Sequence, residues 1–324
     1  MIDKYIFAKY TIYMNNPRIS VCIPAYKQPI LLERCLHSLR LQEHAEFEVI
    51  VTDDSPDDSV ADLVRDFRAG FPVRYEKNPS ALGSPENWNA ALALAKGEYV
   101  KILHHDDWLR SPNALATIAD QLDRHPSASM AYSATVDVYP NNAEVVHETT
   151  PAQLRQLNRR PESLLLGNFV GAPSGVTFRR HPGLRFDPQL KWLVDIDFYL
   201  EALKHGPAVY IPEPLVNIGL HEMQVTNAVQ HDPAVVLPEW ARVLGKDPRY
   251  VKQGWKMYDL LWRMFRNFGV RSQDELVRYC AGNPVPAVFR QIVQAQGQVP
   301  AALLRIGPAS KAVMSAAWVR SLWL

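Results

Sequence analysis

The sequence of 324 residues carries a formal net charge of +1, and 47% of its residues are apolar. A chain of this length and composition is expected to bury a large core as a soluble globular protein. It has no apolar run long enough to cross a membrane, residues 1–17 lack the layout of a signal peptide, and no glycine-rich dinucleotide or phosphate-loop motif occurs. These absences argue against a membrane-spanning protein, a dehydrogenase and a nucleotide-hydrolysing motor.

After an N-terminal extension of residues 1–17, strand and helix patterns alternate along the chain. Apolar runs at Arg18–Pro24 and Phe47–Thr52 predict buried strands, and amphipathic segments at 31–41 and 60–67 predict the helices between them. This alternation indicates βαβ units and a parallel sheet. Cys22 and Cys35 fall on core-facing positions, which predicts reduced packing thiols in a cytosolic protein.

Three serine-proline pairs predict helix starts, because serine can cap free backbone amides and proline fits the first helical turn. The pairs are Ser55-Pro56, Ser84-Pro85 and Ser111-Pro112. We therefore expect a helix to begin at each pair.

The strand predicted at Tyr99–Leu103 runs directly into His104-His105-Asp106-Asp107. A strand that ends in acidic residues places them in the crevice where open α/β sheets bind ligands. Adjacent carboxylates repel each other, and a bound cation offsets that cost; oxygen ligands of this kind suit Mg²⁺ or Mn²⁺. The alternative is a solvated acidic turn before the next helix.

The C-terminal part of the chain is basic. Residues 241–324 hold 13 Lys+Arg and 4 Asp+Glu, which gives this region a net charge of +9, whereas the rest of the chain has a net charge of −8. Helical periodicity over 251–268 gives one basic stripe, flanked by Trp255 and Trp262. The stripe contains Lys252, Lys256, Arg263 and Arg266. Such a helix suits an anionic membrane surface, or else it packs on the protein with its basic face in water. No nucleic-acid-binding module accompanies it, so nucleic acid is not an expected partner.

Ile19–Tyr26, Phe47–Ser55 and Ala95–Asp107 follow one another in an order and spacing found in a known family. Together they resemble the family 2 glycosyltransferases, over about residues 18–227. The resemblance implies an α/β fold of the GT-A type: a Rossmann-like, mixed but mostly parallel sheet flanked by helices, followed here by a helical C-terminal region. It also implies transfer of a sugar from a nucleotide-sugar to an acceptor hydroxyl, with inversion at the anomeric carbon and with Mn²⁺ or Mg²⁺ on the diphosphate.

The resemblance also implies which residues form the site. The nucleotide-sugar would contact Pro24, Ala25, Tyr26, Asp53, Asp54, Asn87 and Asp106. Asp54, with Asp53 beside it, would accept a hydrogen bond from the imide N–H of uracil or thymine. The metal would be held by Asp106, Asp107 and His221.

Three positions depart from the family pattern. His104 stands where the family often has the first acid of Asp-x-Asp-Asp, and Trp88 stands where many relatives carry an arginine. Gly219 likewise replaces an arginine two residues before His221.

The segment Lys191–Leu200 resembles the family's acidic motif and implies that Asp195 is the catalytic base, which removes a proton from the attacking hydroxyl. From residue type alone, Asp195 equally suits a helix N-cap with Asp197 in the first turn. The loop at 171–175 either lines an acceptor pocket or forms a tight turn before the strand Val176–Phe178.

We therefore expect residues 18–232 to form the glycosyltransferase domain, with a nucleotide-binding half at about 18–110 and an acceptor half at about 111–232. Residues 233–324 would form a helical, basic region. The expected activity is metal-dependent transfer from a UDP- or dTDP-sugar to a lipid-linked saccharide in cell-surface polysaccharide assembly, such as O-antigen or capsule, at the cytoplasmic face of the membrane. The alternative is a protein that binds a nucleotide-sugar but does not transfer the sugar. This alternative is suggested by His104, which replaces an expected acid.

Overall fold

The computed structural model describes residues 17–43, 45–221, 229–251, 254–280 and 282–321. Residues 1–16 of the predicted extension and Lys252 of the predicted stripe lie outside the described residues. By its contacts the chain divides into two units. Unit 1 spans 1–161, 169–188 and 194–224, and unit 2 spans 162–168, 189–193 and 225–324. The domain boundary predicted at 232/233 therefore falls inside unit 2.

Unit 1 is built on one sheet, whose nine strands in the described residues are β1 (Ile19–Ala25), β2 (Phe47–Asp53), β3 (Val73–Lys77), β4 (Tyr99–Ile102), β5 (Trp108–Leu109), β6 (Met130–Val138), β7 (Glu144–His147), β8 (Val176–Arg179) and β9 (Ala208–Gly219). They lie in the order β3-β2-β1-β4-β8-β6-β9-β5, and β7 pairs with β6. The pairs β1/β2, β2/β3, β1/β4 and β6/β9 are parallel, and the remaining pairs are antiparallel. The prediction of a mixed, mostly parallel sheet is confirmed.

The helices of unit 1 are α1 (Pro29–Arg40), α2 (Ser59–Asp66), α3 (Glu86–Leu94), α4 (Ala114–Arg124), α5 (Pro151–Arg159) and α6 (Val194–Ala202), with a 3₁₀ turn at Pro173–Gly175. Another 3₁₀ turn, Pro161–Leu166, lies almost entirely in the unit 2 segment 162–168. The predicted apolar face of α1, which includes Leu32 and Cys35, is fully buried against the sheet. Cys22 on β1 is also buried, and both thiols are free.

The predicted serine caps are wrong. The three helices begin beyond the serine-proline pairs, at Ser59, Glu86 and Ala114, and in none of them does the N-cap residue make a side-chain cap hydrogen bond. The Ser55 hydroxyl instead accepts the backbone N–H of Lys27 at 2.7 Å. This serine therefore joins the loops that follow β1 and β2, at the edge of the sheet where the candidate site lies.

Unit 2 is helical, and its helices are α7 (Pro233–Lys246), α8 (Pro248–Val251), α9 (Trp255–Phe268), α10 (Gln273–Tyr279), α11 (Ala287–Gly297), α12 (Ala301–Leu304) and α13 (Gly307–Ser321). Helix α9 packs its apolar face against α11 and α13. The expectation that Trp262 flanks a surface stripe is wrong, because its indole is buried and Nε1 donates to the Ser310 hydroxyl at 3.0 Å. Trp255 is 37% exposed, and Lys256 and Arg263 are exposed.

Within the described ranges, every helix is too short or too polar to reach across a lipid bilayer.

Candidate active site

The acidic turn after β4 lies at the carboxyl end of the parallel strands, as predicted. β4 is an interior strand, paired with β1 on one side and β8 on the other. The chain leaves it through His104–Asp107 and returns as β5, which pairs with the end of β9. The approach of β9 is so close that a Cβ on Gly219 would lie 2.4 Å from the backbone oxygen of Asp106. A glycine is therefore required where the family resemblance led us to expect an arginine.

Asp106 faces a group of imidazoles. Its Oδ2 lies 2.8 Å from Nε2 of His221, and its side chain is 15% exposed. Burial raises the pKa of the Asp106 carboxyl, but His104, His105 and the hydrogen bond to His221 outweigh burial, so the net pKa is lowered. The structure thus brings together two of the residues predicted as metal ligands, Asp106 and His221.

Asp107 is the more buried of the two acids, although its Oδ2 lies only 4.0 Å from Nδ1 of His104. Its carboxylate accepts the backbone N–H of Gly219 at 2.9 Å and a hydrogen bond from the Ser174 hydroxyl. Burial, followed by the adjacent charge of Asp106, raises the pKa of Asp107 well above its usual value. The two neighbouring acids therefore occupy different environments.

Two of the three departures from the family pattern, His104 and Trp88, touch each other. Their ring centroids lie 4.7 Å apart, and Trp88 also meets Phe186 edge-on at 4.9 Å. Burial lowers the pKa of His104 to about 4, so the imidazole is neutral at pH 7. An aromatic contact thus occupies the space beside the acidic turn where an acid and an arginine were expected.

The acids after β2 are held by the chain itself. Asp53 is fully buried and accepts the backbone N–H of Ser55 and the Tyr75 hydroxyl, each at 2.8 Å. Asp54 accepts three donors from the loop at 78–83, at 2.7 to 3.1 Å. A carboxylate has about four acceptor positions, so the hydrogen bonds from the described residues leave Asp54 about one position that a ligand could use.

Of the other predicted nucleotide contacts, Tyr26 is the most accessible, with 48% of its surface exposed. Pro24 and Ala25 end β1 and are buried. The Asn87 amide is also buried, and it donates to the backbone oxygens of Ala25 and Thr52 at 3.2 Å each. Asn87 thus fixes the ends of β1 and β2 relative to each other.

The predicted base lies on α6. Asp195 and Asp197 both lie in the first turn of this helix, and Oδ1 of Asp195 accepts the backbone N–H of Ile196 at 2.8 Å. One turn further, the Tyr199 hydroxyl donates to the backbone oxygen of Gly171 at 3.1 Å. This bond joins the helix of Asp195 to the loop at 171–175, which contains the 3₁₀ turn that precedes β8.

A family model described as Glycosyl transferase family 2 matches residues 20–182 of the chain. The chain belongs to this family. The predicted family is thereby confirmed.

Relatives and solved structures agree with this membership. The uncharacterized protein MT1568 of Mycobacterium tuberculosis is 34% identical over 216 residues, which cover 62% of this chain and 66% of that protein, just under two thirds. GalNAc(5)-diNAcBac-PP-undecaprenol beta-1,3-glucosyltransferase of Campylobacter jejuni is 33% identical over 104 residues, 32% of this chain and 33% of that one. The crystal structure of S. aureus TarS 1–349 with UDP-GlcNAc superimposes with a TM-score of 0.61 at 18% identity, and covers 93% of this chain and 89% of that chain. At that identity the likeness establishes a shared GT-A fold.

The acidic turn of this family 2 chain has the donor atoms for a divalent cation. His104, Asp106 and Asp107 each offer one ligand atom, and these atoms lie within 4.8 Å of one another. Nε2 of His104 is buried and has no hydrogen-bond partner among the described residues. A carboxylate beside imidazoles suits a cation such as Mn²⁺. The residues present therefore fit a metal.

Two side chains at the turn were missed by the sequence analysis. Arg34 of α1 donates to the backbone oxygen of Asp106 at 2.7 Å and stacks on Trp108, with the guanidinium carbon 3.6 Å from the ring centroid. An arginine within an amphipathic helix gives no sequence signal of this role. Lys101 is fully buried inside β4, and there a signal existed, because a lysine interrupts an otherwise apolar strand.

Proposed function

We propose that this protein is an inverting, metal-dependent glycosyltransferase that moves a sugar from a UDP- or dTDP-sugar to a saccharide hydroxyl. The observation that carries the proposal is the pairing of Asp106 with His221 at the carboxyl end of β4, in a chain of family 2. The helix of Asp195 belongs to the same unit, so the unit holds candidates for both metal binding and base catalysis.

The nucleotide is proposed to lie over the ends of β1 and β2. Tyr26 offers an exposed ring to the base, and the open acceptor position of Asp54 suits the imide N–H of uracil or thymine. Asp53 is a poorer candidate, because its side chain is fully buried, whereas Asp54 is 6% exposed.

For the metal we favour Asp106 and His221 as ligands over Asp107. Asp106 is partly exposed, whereas the Asp107 carboxylate is buried and bonded to Gly219 and Ser174. A divalent cation at this position would neutralise the diphosphate charge that grows as the nucleotide leaves. His104 adds an imidazole nitrogen, and its aromatic contact with Trp88 fixes the orientation of the ring.

Transfer with inversion needs one base near the acceptor. We propose that Asp195 accepts the proton of the acceptor hydroxyl while the hydroxyl oxygen forms a bond to the anomeric carbon. The bond from that carbon to the diphosphate oxygen breaks on the opposite face, and its electron pair leaves with the nucleoside diphosphate. A single displacement of this kind inverts the anomeric configuration.

A lipid-linked saccharide on the cytoplasmic side of a bacterial membrane is the acceptor class we propose, within surface polysaccharide assembly. The name of the C. jejuni relative, which contains a PP-undecaprenol saccharide, supports this class. The +9 balance of residues 241–324 and the exposed Lys256, Arg263 and Trp255 support contact with an anionic membrane surface. Because Trp262 is buried, Trp255 is left as the aromatic anchor on α9.

The test is release of nucleoside diphosphate by the purified full chain. UDP- and dTDP-sugars are supplied with a synthetic lipid-linked saccharide, in Mn²⁺ or in chelator. We expect Mn²⁺-dependent release that rises with acceptor, and a product of inverted configuration by NMR. Donor binding by calorimetry with neither hydrolysis nor transfer would instead favour the nucleotide-sugar-binding alternative, to which the replacement of an acid by His104 points.

A further inference from the structure

Lys101 is the most unusual buried group in the described part of the chain. It sits in the middle of β4, opposite Val21 of β1 and Thr177 of β8, and its exposure is zero. A charged ammonium removed from water is costly unless it is paired and hydrogen-bonded. The proposed transfer chemistry makes no use of it. Its partners therefore indicate what it does.

The ammonium of Lys101 donates to the backbone oxygen of Ser174. Asp107 is the nearby charge that opposes the effect of burial, which lowers the pKa of Lys101 to about 7. The hydroxyl of the same Ser174 bonds to Asp107 and accepts the backbone N–H of His104 at 3.0 Å. Ser174 thus connects a buried cation, a buried carboxylate and the start of the acidic turn.

The loop that contains Ser174 is fixed at its other end as well. The Gly171 oxygen accepts the Tyr199 hydroxyl, and Tyr199 is a fully buried residue one turn after Asp195 on α6. A Cβ on Gly175 would lie 2.9 Å from Cγ2 of Thr135, so the loop also packs tightly on β6. The loop at 171–175 therefore spans from the acidic turn to the helix of the proposed base.

We propose that Lys101 is a positioning residue of the transfer reaction, and that it acts by holding the loop at 171–175 between the acidic turn and the helix of Asp195. The proposal rests on the proposed function. Lys101 contacts neither donor nor acceptor. It sets where the acceptor hydroxyl and its base lie relative to the bound donor, and displacement of about 1 Å at such a point can cost about 10²-fold in rate.

The experiment compares Lys101→Met with Thr177→Val in the full chain. Thr177 is the direct cross-strand neighbour of Lys101 and is also buried. Its hydroxyl has no hydrogen-bond partner among the described residues. Three quantities are measured: UDP affinity in Mn²⁺, the ratio of donor hydrolysis to transfer, and hydrogen exchange of residues 169–178 without ligand.

For Lys101→Met we expect UDP affinity within about threefold of wild type, because the nucleotide contacts lie elsewhere. Hydrogen exchange in the loop should become faster, and the transfer kcat should fall between about 10- and 100-fold. The ratio of donor hydrolysis to transfer should rise, because a water molecule does not need to be positioned as an acceptor does. Thr177→Val should match wild type in all three. Transfer at the wild-type rate in Lys101→Met would overturn the proposal, whether or not exchange rises.

If Lys101→Met does not fold, Ser174→Ala decides the question, since it keeps the lysine and its bond to the backbone and removes only the link to Asp107 and His104. It should give the same gain of hydrolysis over transfer, and a wild-type ratio would overturn the proposal. Wild-type protein that neither hydrolyses nor transfers any donor would remove the proposed function and this proposal with it. If instead the wild type turns over normally and Lys101→Met transfers at the same rate, the proposed function stands and only this proposal fails.

Discussion

The close approach of β9 to the acidic turn gives the most direct test of the site geometry. In Gly219→Ala the new methyl would lie 2.4 Å from the backbone oxygen of Asp106 and 3.0 Å from the Arg34 guanidinium. The arginine side chain can move aside, but the carbonyl belongs to the turn that carries the proposed metal ligand. Either β9 or the turn must therefore shift.

The magnitude follows from two opposing effects. Overpacking of this kind costs about 1–3 kcal/mol. The lower conformational entropy of alanine in the unfolded chain returns about 0.4–1 kcal/mol. A net loss of about 1–2 kcal/mol lowers the Tm of a unit of this size by roughly 2–8 °C. Because the shift also moves Asp106, we expect Mn²⁺-dependent UDP affinity to fall with it.

Thermal unfolding followed by circular dichroism and calorimetric titration of UDP with Mn²⁺ are the two assays. Gly245→Ala is the matched control, since this helical glycine on α7 has open space around its Cβ position, and alanine there should stabilise by up to about 1 kcal/mol. An unchanged Tm together with unchanged UDP affinity in Gly219→Ala would show that this contact does not constrain the turn.

Three further changes separate the proposed roles. Asp195→Asn should leave donor binding intact and lower turnover by about 10²-fold or more, and unchanged turnover at saturating acceptor would mean that another group removes the proton. Asp106→Asn should abolish the difference in UDP affinity between Mn²⁺ and chelator, whereas Asp107→Asn should retain it; the opposite result would make Asp107 the direct ligand. Reversal of Lys256 and Arg263 to glutamate should abolish co-sedimentation with anionic liposomes at low salt while transfer to a water-soluble acceptor persists. Wild-type protein that ignores such liposomes would refute the membrane contact.

The strand and helix order of unit 1 was predictable because it depends on local periodicity. The apolar run Ile19–Ala25 is buried at every position, and the face of α1 with Leu32 and Cys35 is buried as its spacing requires. The location of the acidic turn also followed, since the carboxyl ends of parallel strands meet at one edge of a sheet.

Features that depend on partners distant in sequence were not predictable. Ser55 has the chemistry of a helix cap, but its hydroxyl accepts an amide from the loop after β1. The spacing of Trp262 places it beside the predicted basic stripe on the surface of α9. In the structure three helices of unit 2 meet there, and its indole donates to the hydroxyl of Ser310, 48 residues away. In each case a tertiary contact outweighed a correct local preference.

The adjacent acids Asp106 and Asp107 show the same limit at the level of charge. Sequence predicted that a shared cation would relieve their repulsion. In the structure an oxygen of each acid lies within 4.8 Å of the other, but their environments differ: Asp106 faces imidazoles that lower its pKa, whereas burial raises the pKa of Asp107. Asp106 is the more accessible acid, whereas Asp107 accepts the backbone N–H of Gly219, and the charge of the buried Lys101 opposes the rise in its pKa. The strand that delivers the two acids to the edge of the sheet therefore also supplies, in Lys101, a positive charge near the more buried of them.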